Sequence, residues 1–191
     1  MLKKFLFLGV LLGSAAAMAQ VAPSSHGGNA TLWIGLDFSS FDPDYDGLET
    51  LGPTQRLIGP GAFIDFNLTP KLGVEGETHW LRFNGNGGET QNDYLAGVKY
   101  RVFRWNKLSI NAKFLLGGVW IKYPAGIGSG SYFAYTPGAI VDYRLSRRFS
   151  VRGDYEYQFI PSAPGLYPDE SNGLSPNGFS VGVAYRLLGI R

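Results

Sequence analysis

The sequence predicts an all-β fold, an eight-stranded antiparallel up-and-down barrel that crosses a membrane with its strands. Three observations predict it. Residue character alternates with a period of two along most of the chain, and that period marks strands, whose successive side chains point to opposite faces. The alternating runs recur in register, paired across short basic turns. The two faces also divide in an unusual way: one is aliphatic and aromatic, the other a mixture of acids, bases and amides. A soluble strand wets its polar face with Ser, Thr and Lys, whereas a barrel in lipid needs an apolar outside and a polar inside.

The clearest run is 138–160, GAIVDYRLSRRFSVRGDYEYQFI. Ala139, Val141, Tyr143 and Leu145 alternate with Ile140, Asp142, Arg144 and Ser146. After the turn Ser146-Arg147-Arg148 the pattern resumes, with Phe149, Val151, Tyr155, Tyr157 and Phe159 opposite Ser150, Arg152, Asp154, Glu156 and Gln158. Two such runs around a short connection form an antiparallel hairpin. The hairpin repeats: Gly61 is followed eleven residues later by Leu72, Gly97 by Leu108 and Gly138 by Phe149. A truncated fourth copy begins at Gly182. A one-residue slip would exchange every lipid-facing group for an inward one, so the register is strongly specified.

Taken in order, strand one covers Ala30–Phe41, with Leu32, Ile34, Leu36 and Phe38 outward and Trp33, Gly35, Asp37 and Ser39 inward. An acidic loop, Asp42–Thr54, leads to strand two, Gln55–Leu68, with Ala62, Ile64 and Phe66 outward and Phe63, Asp65 and Asn67 inward. Strand three, Lys71–Phe83, places Leu72, Val74 and Trp80 outward and Glu75, Glu77 and His79 inward. A Gly-rich link joins it to strand four, Asn92–Phe103, where Tyr94, Ala96, Val98 and Tyr100 alternate with Gly97, Lys99 and Arg101. Strand five, Leu108–Tyr123, has Asn111 and Lys113 inward. Strand six covers Ser131–Leu145, strand seven Phe149–Ile160, and strand eight Asn177–Leu187 after the Pro-rich connection Pro161–Pro176. Strands of about ten residues or more suit tilted crossings of a hydrocarbon layer roughly 25 Å thick. Trp80 and Trp120 fall near the long-loop end and Trp105 at the short-turn end, where interfacial aromatic girdles belong.

Length and composition fit this reading. At 191 residues the chain is one domain. It has no cysteine, which excludes disulfide frameworks and thiolate metal sites. Residues 1–19 read as a secretory signal peptide: Lys3 and Lys4 are the basic start, Phe5–Leu12 the apolar stretch and Ala17-Met18-Ala19 the cleavage site. Residues 20–29 form a flexible lead-in and 30–191 the barrel. Without Lys3 and Lys4 the 17 basic residues become 15, equal to the 15 acids, so the mature chain is formally neutral. That balance gives no support for nucleic acid as a partner. No later run of about 18 apolar residues exists, so no helical span is expected.

With these elements in place, the mature chain resembles the eight-stranded outer-membrane barrels of Gram-negative bacteria, the group of the OmpA transmembrane domain and OmpX. Ser180–Leu187, SVGVAYRL, is similar to the C-terminal assembly signal of that group, through Ser180, Gly182, Tyr185 and Leu187. The resemblance implies an outer-membrane location, contact with membrane lipid and lipopolysaccharide, and handling by the barrel-assembly machinery.

The inward positions gather Asp37, Asp65, Glu75, Glu77, Asp142, Asp154 and Glu156 against Lys99, Arg101, Lys113, Arg144, Arg152 and Arg186, with His79 among them. An eight-stranded barrel is only wide enough for its own side chains, and buried charges are tolerated when paired. The expectation is a salt-bridged plug closing the lumen, in a structural surface protein without a cofactor. The alternatives are a narrow gated pore for small ions and a surface-binding module using the Asp42–Thr54 and Pro161–Pro176 loops. Barrel lipid hydrolases combine a serine with a histidine; His79 is followed by Trp80 and has no such arrangement, so no enzyme is expected. Asp42, Asp44 and Asp46 open a D-x-D-x-D-G run like a calcium loop, but the twelfth position is Pro53 where a bidentate glutamate is needed, so no metal is assigned.

Overall fold

The structure, a computed structural model, describes residues 30–44, 56–83, 88–123, 128–164 and 173–189. The signal peptide, the lead-in with His26, and Asp46 lie outside these residues. Eight strands form one closed barrel: β1 (Thr31–Asp42), β2 (Leu57–Asn67), β3 (Leu72–Arg82), β4 (Thr90–Trp105), β5 (Leu108–Lys122), β6 (Ser129–Arg144), β7 (Phe149–Tyr157) and β8 (Asn177–Gly189). Each strand pairs antiparallel with its sequence neighbours, and β8 closes against β1. Closure leaves no unpaired edge, which a spanning sheet requires in the absence of water.

The expected bounds hold within a few residues, with two informative differences. β4 begins at Thr90 and continues to Trp105, so it takes in Arg104, beyond the expected end at Phe103. β7 ends at Tyr157, short of the expected Ile160, and beyond it Gln158 N donates to Pro176 O. Phe159 and Ile160 continue as single bridges to Tyr135 and Leu174.

The short turns share a device. Thr69 Oγ1 accepts from Leu72 N at 2.9 Å, and Ser146 Oγ accepts from Phe149 N at 3.1 Å. Each hydroxyl thus caps the turn by local hydrogen bonding. The third turn is only Asn106-Lys107, where Asn106 takes φ 51°, a left-handed conformation that asparagine tolerates better than most residues.

Alternation places side chains as expected. Leu36, Phe38, Ile64, Val74, Val98, Phe114, Val141, Val181 and Val183 are exposed on the outer wall. Trp80 Nε1 donates to Tyr94 OH at 3.2 Å, and Trp120 meets Tyr94 edge-on at 5.4 Å between ring centroids, forming part of a loop-end girdle. Trp105, Tyr143 and Phe149 are exposed toward the turn end.

Candidate functional site: the barrel lumen

The lumen is filled in layers. At the loop end, Leu95, Leu115, Val119, Ile121, Ala134 and Ile160 make one apolar cluster, and Phe41, Leu57 and Leu81 make another. Ala163 and Leu174, from the ends of the last loop, are buried in the first cluster. The Pro161–Pro176 connection therefore partly stops the barrel rather than only projecting from it. Sequence reading missed this layer because the upper half of β5 (Leu115-Leu116-Gly117-Gly118-Val119-Trp120-Ile121) is apolar on both faces, so alternation carries no polarity signal there.

Below lies a polar layer around His79. Its Nδ1 is 3.0 Å from Asp93 Oδ1, which also accepts from the His79 backbone N at 2.8 Å. Asp37 Oδ1 stands 3.8 Å from Nε2 and accepts from Ser39 Oγ at 3.0 Å. Gln158 Nε2 donates to Asp93 Oδ2 at 3.2 Å, and Gln91 Nε2 donates to Gln158 at 2.8 Å. Gly61 makes the approach possible: a Cβ there would fall 2.3 Å from Asp37 Oδ1 and 2.6 Å from His79 Cδ2. Asp93, absent from the expected inward set, is its central acceptor; it shares the odd-numbered face of Lys99, and that parity was the signal that could have found it.

The centre is built on Lys113. Its Nζ lies 2.7 Å from Glu77, 2.6 Å from Asp154, 3.5 Å from Glu75, and in direct contact with Glu156. All five side chains are buried. The donor atoms of Glu75, Glu77 and Asp154, and of Glu77, His79 and Glu156, converge closely enough to hold a metal ion. Lys113 already contacts every carboxylate in these triads, so its ammonium stands where such a cation would sit.

Glu75 links this cluster to the next. Its second oxygen is 3.4 Å from both Lys99 Nζ and Arg152 Nη1. Lys99 pairs with Asp65 at 2.5 Å; Arg152 contacts Asp65 and reaches Asp142 through Nε at 3.0 Å. Asn111 Nδ2 donates to Asp142 Oδ2 at 3.0 Å. The Arg152 guanidinium lies 3.9 Å from the centroid of the Phe63 ring, which is packed with Trp33 and Ala184. Such stacking retains the attraction of a cation for an aromatic face.

Most of the expected charges thus meet, but Arg101, Arg144 and Arg186 do not. They stay at the turn end, half-buried, with no carboxylate in ion-pair contact among the described residues. The expected balance of seven acids by six bases is therefore not one network: the paired centre is rich in carboxylates and the turn-end mouth is rich in arginine.

In the strand of the assembly signal, Ser180 Oγ donates to Ser39 Oγ at 2.8 Å inside the lumen. Gly182 also faces inward, while Leu187 is exposed outside and Tyr185 OH accepts from Arg148 Nη1 at 3.2 Å. Of the acidic run in the first loop, Asp42 Oδ1 accepts from Asp44 N at 3.2 Å, and Asp44 Oδ2 accepts from Ser175 N at 2.9 Å. Asp44 therefore braces the first loop against the last.

The family model described as outer membrane protein beta-barrel domain matches residues 5–186. No curated protein matches the chain. Among solved structures, Neisserial surface protein A is similar with a TM-score of 0.64 at 12% identity, over 82% of this chain and 97% of that one. OprG of Pseudomonas aeruginosa gives 0.57 at 13% identity, over 84% and 98%. Ail, the attachment invasion locus protein of Yersinia pestis, gives 0.53 at 18% identity, over 85% and 100%. At these identities the likeness concerns the fold.

Proposed function

The chain belongs to the outer-membrane β-barrel family, whose place is the outer membrane, and on that premise we propose that it is a structural surface protein with a closed lumen. The observation that carries this reading is the stopper itself: opposite walls share the Lys113 ammonium, and the hydrogen-bonded His79 layer and the apolar loop-end clusters are stacked above it. A buried charge with several partners is costly to separate, and the apolar clusters at the loop end offer a passing ion few groups to replace its hydration. Its partners in this reading are membrane lipid, lipopolysaccharide and, during biogenesis, the barrel-assembly machinery acting on Ser180–Leu187 after signal cleavage at Ala19. Catalysis has no part in it.

Planar-bilayer recording tests the reading. The folded barrel is expected to show no steady conductance in dilute potassium chloride; a stable ohmic channel would replace the stopper with the gated pore.

One observation favours an additional role in surface binding. Asp44, at the start of the first loop, accepts from Ser175 N near the end of the last, so the bases of these two connections are tied together. The similarly folded Ail is named for attachment and invasion. Deleting residues 45–53 should then lower adherence of expressing cells to host cells or matrix while the barrel still folds; unchanged adherence would remove this role.

A further inference from the structure

The turn-end mouth holds more positive charge than the lumen uses. Lys99 and Arg152 are committed to Asp65, Glu75 and Asp142. Arg101, Arg104, Lys107, Arg144 and Arg186 line a cavity of about 80 Å³ at this end. None of the five makes an ion pair among the described residues. The acid beside them, Asp142, is already engaged by Arg152 and Asn111. The arginines also crowd one another: Arg101 feels the charges of Arg104 and Arg144, and Arg144 those of Arg104 and Arg186, with Asp142 the one opposing charge in each case. Arg101 Nη1 donates to Pro70 O, but its buried Nε has no hydrogen-bond partner.

The backbone is irregular where it aims two of these groups. In β4 the register against β5 shifts between Arg101 and Phe103, so Arg101 faces Asn111 and Arg104 faces Ser109. Asn111 and Ser109 share the inward parity of β5. Without the bulge, Arg101 and Arg104 would lie on opposite faces; with it, both point to the mouth. Bulges commonly re-aim a side chain at a barrel rim. Arg186 needs no such shift: it faces inward by parity and pairs with Trp33 in the register of the rest of the strand, the β8 irregularity falling just beyond it. That places the Arg186 guanidinium 5.8 Å from the centroid of the inward Trp33 ring.

We propose that this mouth is a binding site for a phosphate-bearing anion. Planar guanidinium forks match phosphate oxygens in pairs, and several of them around a small cavity supply both charge and geometry. A ligand of this chemistry would relieve the repulsion among the five cations and satisfy the free Arg101 Nε. Short turns face the periplasm in barrels of this family, so the anion is either a soluble phosphate of that compartment or the headgroup of a phospholipid in the adjoining leaflet.

Calorimetric titration of the folded barrel in nonionic detergent with inorganic pyrophosphate at low ionic strength tests the site. The expected result is saturable binding that Arg104→Gln combined with Arg144→Gln weakens about tenfold or more, as loss of charge-assisted bonds requires. Arg147→Gln, at an exposed turn residue outside the cavity lining, should change it less than about twofold. Heat-modifiable migration establishes that each variant is folded; if the double variant fails, Arg104→Gln alone serves. Micelles doped with phosphatidylglycerol separate the two sources. Displacement of pyrophosphate that depends on the same arginines assigns the site to the lipid headgroup, and undisturbed pyrophosphate binding assigns it to the soluble anion. The site is overturned if neither probe binds in an arginine-dependent way, or if Arg147→Gln weakens binding as much as the cavity substitutions do. Either outcome leaves the conductance test of the closed lumen unaffected.

Discussion

Glu77 and Asp154 stand on opposite walls of the barrel, on β3 and β7, yet both reach one ammonium: Lys113 Nζ lies 2.7 Å from the first and 2.6 Å from the second. A single side chain from β5 thus ties walls that the hydrogen-bonded sheet joins only around its circumference. Glu75 carries the tie down to Lys99 and Arg152, so removing one member exposes the whole set.

Lys113→Met should accordingly be the most damaging conservative-sized change in the lumen. It leaves Glu75, Glu77, Asp154 and Glu156 buried without their shared cation, a loss of about 3–5 kcal/mol by analogy with broken buried pairs. The urea midpoint for loss of heat-modifiable migration measures it. Adding Glu77→Gln and Asp154→Asn should recover part of the loss.

Gly61→Ala tests the histidine layer. The added methyl would meet Asp37 Oδ1 at 2.3 Å and His79 Cδ2 at 2.6 Å, so both side chains must move. Overpacking of this kind costs about 1–3 kcal/mol. Gly153→Ala, where a Cβ meets nothing within 4 Å, should be near neutral in the same urea titration.

The outer wall should show a depth profile. Leu36, 67% exposed at the middle of β1, becomes a charge in hydrocarbon in Leu36→Arg, at a cost of about 2–4 kcal/mol. Leu188→Arg, near the turn-end interface, should cost about 0–1 kcal/mol. Equal costs in lipid-vesicle folding equilibria would contradict the outward assignment.

Glu89, in the connection between β3 and β4, is buried with neither carboxylate oxygen hydrogen-bonded among the described residues. Burial pushes its carboxyl above the usual carboxylate range. Because the folded-state value is the higher one, its favourable contribution is present below the unfolded value and is lost as pH rises through the carboxylate range. Glu89→Gln should therefore be more stable than the parent at pH 7, with the difference shrinking toward pH 4. Urea midpoints of the two proteins across that range measure the effect.

The strands and their facing were legible because alternation and lipid contact act on every residue of a wall: Leu36 against Asp37 and Val141 against Asp142 each carry the assignment locally. The register of the repeated glycines was legible for the same reason, although their role as clearance was not. Gly138 shows why: a Cβ there would fall 2.8 Å from Lys113 Cε on the neighbouring strand, and no local pattern encodes that approach. Pairing across the lumen was equally hidden. Arg152 faces inward by parity as Arg186 does, yet among the described residues one meets three carboxylates and the other none, a difference set by height in the barrel. Arg104 was missed because the expected strand four ends at Phe103, and in the longer β4 a bulge reverses the parity on which a facing assignment would depend.

Spin-label accessibility at paired sites tests the inside-out arrangement most directly, and the absence of native cysteine simplifies the labelling. Nitroxides are placed by Leu36→Cys on the outer wall and by Leu115→Cys within the apolar stopper, with the barrel folded into lipid vesicles. The expected result is that the label at position 36 collides with dissolved oxygen but not with a water-soluble nickel chelate, while the label at position 115 is shielded from the chelate. Ready access of the nickel chelate to both labels would contradict a lipid-facing wall around a closed lumen.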